Sequence, residues 1–286
     1  MDIDRFRVRH GDRNALTRHD PDEVGPFKDK DDAEDHLQKG LKRLAEREEL
    51  LYAEGRWALL LIFQGMDAAG KDHMIRHVMS GISPQGTEVH SFKQPSVEEL
   101  QHDYLWRAVK ALPPRGHIGI FNRSYYEEVT IVRIHSKVLD AQKLPSPLVT
   151  KHIWDERFED INAFEQHLSR NGTVIRKFHL HISRGEQRRR LLERLENPAK
   201  NWKFAESDVL ERREWHQYQR AFADAIAATS HRHAPWYVVP ADHKWFAQTV
   251  VADVVVQTLD DLALSVPRLK APERRALARA KRMLAK

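Results

Sequence analysis

The stretch Gly65-Met66-Asp67-Ala68-Ala69-Gly70-Lys71-Asp72 follows the apolar run Trp57-Ala58-Leu59-Leu60-Leu61-Ile62-Phe63. The spacing G-x-x-x-x-G-K on a strand–loop–helix unit is that of a phosphate-cradling P-loop. Glycines at 65 and 70 let backbone N–H groups turn inward on phosphate oxygens, and the following helix adds its positive N-terminal end. Met66, Ala68 and Ala69 complete the cradle, and Lys71 supplies a point charge. Two features are unusual. Asp72 stands where Ser or Thr would hold Mg²⁺, and a second acid, Asp67, lies inside the loop. Two carboxylates repel a polyanion unless metal ions sit between them, so the stretch points to metal-dependent phosphoryl transfer. Asp67 is a candidate to orient a phosphate, act as a base or ligate metal. Asp72 is a candidate metal ligand or a helix cap. Hard oxygen donors beside phosphate favour Mg²⁺, with Mn²⁺ as the alternative.

Outward from this loop, apolar strands alternate with amphipathic helices. The pattern predicts helices over 31–54 and from Lys71 to about 79, then strands over 87–92 and 117–121. Ser96 and Glu99 form a capping-box pair that predicts a helix over 96–112. A long helix is expected over 148–170, a strand over 173–182 and an Arg-rich helix from Ser183 to Glu196. Further helices are expected over 207–229 and 245–264, flanking a short strand at 236–239. Such alternation predicts a mostly parallel sheet of about five strands with helices on both faces. Ligands of such sheets bind beyond the carboxyl ends of the strands.

The strand ending in Phe121-Asn122-Arg123 places two polar residues at such an end. Asn122 is read as a neutral metal contact acting through water, Arg123 as a phosphate contact, and Glu127 as a group that meets the acceptor. Tyr125 and Tyr126 are read as packing. Arg188, Arg190 and Arg194 lie on the Arg-rich helix, which resembles a kinase lid spanning about 183–206, and Lys203 follows in a loop. These are candidate phosphate clamps, against the alternative of a solvated charged face. Trp202, Trp215, Trp236 and Trp245 are read mainly as core.

The chain has 286 residues, no cysteine and a formal net charge of +5. Disulfides and thiolate zinc sites are therefore excluded. No apolar run approaches the roughly 20 residues of a membrane span, and the first residues hold no signal-like apolar region, so a cytoplasmic protein without membrane partners is expected. Residues 1–25 read as a polar N-terminal arm, 26–265 as the phosphotransferase domain, and 266–286 as a disordered basic tail.

Together with Ser91-Phe92-Lys93-Gln94-Pro95, Asn201-Trp202-Lys203-Phe204 and Ala234-Pro235-Trp236-Tyr237-Val238-Val239-Pro240-Ala241, these motifs resemble those of the family-2 polyphosphate kinases over about residues 31–264. The resemblance implies a three-layer α/β/α, thymidylate-kinase-like P-loop fold. It implies Mg²⁺ dependence, inorganic polyphosphate and AMP, ADP or ATP as substrates, and a homo-oligomer (dimer or tetramer). Guanine nucleotides are further candidate substrates, and nucleic acid is not expected as a partner. Asn122 with Glu127 is similar to the subgroup that uses both AMP and ADP. The rivals are an ATP-dependent nucleotide kinase of the same fold and a polyanion- or nucleic-acid-binding protein with a vestigial loop.

Overall fold

The computed structural model describes residues 1–285, with every side chain among them except those of Ser136 and Lys203. Five strands form one parallel sheet: β1 (Ala58–Gln64), β2 (Thr87–Ser91), β3 (Ile118–Asn122), β4 (Thr173–His181) and β5 (Trp236–Pro240), in the order β2-β3-β1-β4-β5. Every residue of β1 is buried, as a central strand covered on both faces requires. The named helices are α1 (Lys30–Glu54), α2 (Lys71–Val78), α3 (Ile153–Arg170), α4 (Arg184–Glu196), α5 (Trp215–Thr229), α6 (Lys244–Asp261) and α7 (Ala271–Leu284). Helix α6 packs on α1 and α2, while α3 packs on β4 and α5, so the sheet lies between two helical layers. This is the expected α/β P-loop kinase architecture.

Local chemistry explains the helix ends. Asp29 caps α1 by accepting from Asp32 N at 2.9 Å, and Gly55, at φ 62°, closes it. Ser183 caps α4 through Glu186 N at 3.0 Å.

Several expected boundaries are corrected. The Ser96–Glu99 capping box forms, with Ser96 N donating to Glu99 Oε2 at 2.7 Å and Glu99 N to Ser96 Oγ at 3.2 Å. The helix it would start does not continue. Asp103 accepts from Leu105 N at 2.9 Å and opens a competing turn, leaving only a 3₁₀ turn at Glu99–Gln101 and a helix at Trp106–Lys110. The helix expected over 207–229 is broken by a 3₁₀ turn at Arg212–Glu214, and α3 begins at Ile153 rather than 148. The last segment is helical over Ala271–Leu284, with none of those residues buried. At the other end, Phe6, Val8, Ala15 and Leu16 are buried, and Val8 N donates to Trp236 O at 2.9 Å beside β5. The first residues thus cover the sheet edge.

Candidate active site

The loop 65–70 leaves β1 in backbone conformations that few residues tolerate. Gly65 has φ 148°, and a Cβ there would stand 2.8 Å from the Leu180 carbonyl oxygen. Gly70 has φ 101° and begins α2. Ala68 and Arg123 also have positive φ, at 62° and 64°. Such backbone is unfavourable for a side-chain-bearing residue, and it clusters where the two loops meet.

Sheet register brings those loops together. Phe63 of β1 is paired with Asn122 of β3, and Arg123 N donates to Phe63 O at 3.0 Å. Asn122 Nδ2 consequently donates to Asp72 Oδ1 at 2.6 Å and lies 3.4 Å from Ser91 Oγ. Arg123 Nη2 donates to Asp67 Oδ1 at 3.0 Å, and its Nη1 lies 3.8 Å from Glu127 Oε2. Burial works against the Arg123 charge, but Glu127 and Asp67 outweigh it and raise its pKa. Burial likewise raises the Glu127 pKa, with Arg123 and Lys71 opposing.

Lys71 is buried, and its Nζ donates to Gly65 O at 2.7 Å and Met66 O at 3.3 Å. Burial lowers its pKa, helped by Arg123 and opposed by Asp67, Glu127 and Asp72. The loop carbonyls hold the ammonium at the base of the cradle.

Helix α4 lies over the loop. Gln187 Nε2 donates to Asp67 O at 3.1 Å. Arg190 donates to Ala68 O (3.1 Å), Ala69 O (2.9 Å), Ala241 O (2.5 Å), Asp242 O (3.0 Å) and Glu186 Oε1 (2.6 Å). Arg194 pairs with Asp208 at 2.9 Å. Beneath this helix opens a cleft of about 810 Å³. Among the described residues, eight Lys or Arg and four Asp or Glu line it, so it favours a polyanion. Lys244 sits among Arg190, Lys200 and Arg189. Burial first, and then Arg190, depress its pKa, with Glu193 opposing. Such cationic crowding is relieved by an anion.

A family model described as Polyphosphate kinase 2 (PPK2) matches residues 27–266. The chain belongs to the polyphosphate kinase 2 family. It is 47% identical over 283 residues, 98% of each chain, to an ADP-polyphosphate phosphotransferase of Rhodopseudomonas palustris. It is 43% identical over 265 residues, 92% of this chain and 95% of the other, to an AMP/ADP-polyphosphate phosphotransferase of Meiothermus ruber. The crystal structure of polyphosphate kinase 2 from Arthrobacter aurescens TC1 superposes with a TM-score of 0.86 at 38% identity, covering 96% of this chain and 94% of that one.

Within this polyphosphate kinase 2 fold, Asp67, Ala68, Ala69, Gly70, Lys71, Asp72, Asn122, Arg123, Arg190 and Arg194 all border the cleft. Two expectations, for Arg190 and Arg188, are corrected, and three other residues line a neighbouring crevice. Gly65 and Met66 line this second, narrower crevice, which shares Asp67 and Arg123 with the cleft, and their carbonyls accept from Lys71. Glu127, on the 3₁₀ turn Tyr125–Val129, lines the same crevice beside Arg123 and Asp67. Arg190 is a brace, its guanidinium spent on four backbone carbonyls and Glu186. Arg188 is exposed and borders no part of the cleft. The Lys203 side chain lies outside the described residues. Of the tryptophans, Trp215 and Trp236 are buried, whereas Trp202 is 78% exposed at the cleft.

Sequence reasoning missed Arg76, Lys93, Lys200, Asp208 and Lys244, all on the cleft. Arg76 had a signal, since it lies four residues after Asp72 on one helix face. Lys244 had another, at the helix start beyond a strand's carboxyl end. Nothing in the sequence marked Asp208.

The carboxylates suit a hard cation. Asp67 and Asp72 both border the cleft, and a Mg²⁺ ion shared with substrate phosphates needs only one or two carboxylates plus water. Among the described residues no three His, Cys, Asp or Glu side chains form a metal cage, and such a shared site requires none.

Proposed function

We propose that this enzyme moves phosphoryl groups between inorganic polyphosphate and adenine nucleotides, converting ADP to ATP and AMP to ADP, with the reverse available. The observation that carries the reading is the convergence of P-loop, Asp67–Arg123 pair, Asp72–Asn122 pair and lid cations on one cleft. A phosphoryl group in flight carries charge on its peripheral oxygens, so catalysis is alignment and charge neutralisation. Lys71 and the backbone of 68–70 hold the transferred group. Arg123 stabilises the charge that develops on it and fixes Asp67, which orients the acceptor phosphate. Arg76, Lys200 and Lys244 line the route of the polyphosphate chain. Arg194, freed from Asp208, closes over the phosphates and excludes water. Asp67 and Asp72 would hold Mg²⁺, which when bound neutralises phosphate oxygens.

The names of both curated relatives support polyphosphate as the phosphate partner, and the Meiothermus ruber relative supports AMP alongside ADP. The test gives the protein polyphosphate, Mg²⁺ and one of AMP, ADP, GMP or GDP, with no ATP, and separates products by anion exchange. ATP from ADP and ADP from AMP are the expected products. Turnover that appears only when ATP replaces polyphosphate would assign an ATP-dependent nucleotide kinase instead.

A further inference from the structure

A fully buried polar cluster lies behind the site. Tyr125 and Tyr126 donate their hydroxyls to Glu165 Oε1 at 2.9 and 2.8 Å. Lys177 Nζ donates to Glu165 Oε2 at 2.5 Å, to Tyr126 Oη at 2.9 Å and to Thr229 O at 2.8 Å. Glu165 and Lys177 are 0% exposed, and both tyrosines are buried. Both phenols are protonated donors, and burial first, and then Glu165, raises their pKa values further.

Stability alone does not explain this cluster. Taking an ammonium and a carboxylate out of water is costly, and well-packed apolar residues often replace such a pair without loss. What the cluster does supply is direction. Both phenols belong to the turn that begins two residues after Arg123, whose backbone is held at φ 64°. Left to itself a non-glycine residue would leave that conformation. Ser124 adds a second tie, accepting from Gln64 Nε2 at 3.1 Å and from Tyr126 N at 3.1 Å. The strand end is therefore pinned on both sides, and the pin aims Arg123 at Asp67.

We propose that Glu165 and Lys177 are positioning residues of the phosphoryl-transfer site. They anchor Tyr125 and Tyr126, and through that turn they hold Arg123 in its strained backbone and its guanidinium on Asp67. Glu165 comes from α3 and Lys177 from β4, so the second helical layer reaches the chemistry through this cluster. The proposal rests on the reading of Arg123 given above.

The test compares four proteins: wild type, Arg123→Ala, the apolar pair Glu165→Leu/Lys177→Met, and the combination. Each is followed by kcat and KM for ADP with polyphosphate as donor, and by thermal midpoint. A small misplacement of a catalytic group costs up to about 100-fold in rate. The apolar pair is expected to fold and to lose about 10- to 100-fold in kcat, with KM changed less than about 3-fold. In the Arg123→Ala background it should cost nothing further, because what it positions is gone. Near-wild-type kcat for Arg123→Ala would overturn the Arg123 reading, and the proposal with it. A slow Arg123→Ala beside a fully active apolar pair would overturn the positioning role alone. So would losses that multiply in the combined protein, the mark of a general structural effect. Should the apolar pair not fold, Tyr125→Phe/Tyr126→Phe decides by the same comparison.

Discussion

Arg190 gives the sharpest test of how the loop is held. Replacing it with Met keeps an unbranched apolar stem and removes the guanidinium. Four carbonyl oxygens, at 68, 69, 241 and 242, then lose a donor, and Glu186 loses one of its two arginine partners. Hydrogen bonds to a charged group are worth about 1.5–3 kcal/mol each, but such values do not add within one network. Breaking a buried charged interaction costs about 3–5 kcal/mol. Glu186 keeps Arg189, so the lower part of that range applies, about 3–4 kcal/mol. At about 2–4 °C per kcal/mol for a large domain, the thermal midpoint should fall by roughly 6–16 °C. Calorimetry with a matched urea titration reads this directly. The control is Arg194→Met. Its pair with Asp208 is about a fifth exposed on both sides and should be worth about 1 kcal/mol or less. That variant should melt within about 4 °C of wild type while KM for polyphosphate rises. If Arg190→Met melted like wild type and instead weakened polyphosphate binding, Arg190 would be a phosphate clamp and the brace argument would fail.

Asp67→Asn and Lys71→Ala should each lower kcat by at least about 100-fold in folded protein, the size expected for losing a preorganised charge. Steady-state turnover with polyphosphate and ADP checks both, and near-wild-type rates would reject their roles. Chelation of divalent ions should abolish turnover and added Mg²⁺ restore it; activity that persists in excess chelator would remove the metal role of Asp67 and Asp72. His181 is depressed from the usual 6.5 to about 4, chiefly by burial. The folded state therefore binds fewer protons than the unfolded one, and this stabilisation, present above pH 6.5, is lost as pH falls toward 4. Its full size is about 3 kcal/mol, so in His181→Leu the loss of unfolding free energy between pH 7 and 4.5 should shrink by about 2–3 kcal/mol; an unchanged acid limb would refute it.

Features fixed by local backbone were legible in the sequence. The P-loop, the strand before it and the helix after it are neighbours in the chain, and Asn122 and Arg123 followed from the strand-end rule. Features decided by distant partners were not. Arg190 and Arg194, four apart, share a helix face, but spacing cannot say that Arg190 would meet carbonyls from residues 241 and 242. The crevice that Glu127 lines was not legible either, because Tyr125 and Tyr126, read as plain packing, reach hydroxyl partners on α3. The capping box at Ser96 was read correctly, yet the rival turn at Asp103 had equal local claim.

The two acids in the loop pose the puzzle with which the sequence began, and the structure answers part of it without a metal. Each carboxylate receives a donor from the end of β3: Asp67 from Arg123, and Asp72 from Asn122. That gives Asn122 a physical purpose other than weak metal ligation. A carboxylate at that position would stand 2.6 Å from Asp72 with no proton between them. Such a pair would push one pKa up or require a cation to separate the charges. The amide instead holds Asp72 in place at the mouth of the cleft. Asn122→Asp should therefore make activity more dependent on divalent-ion concentration, and a Mg²⁺ titration identical to that of wild type would show that Asp72 does not sense its neighbour.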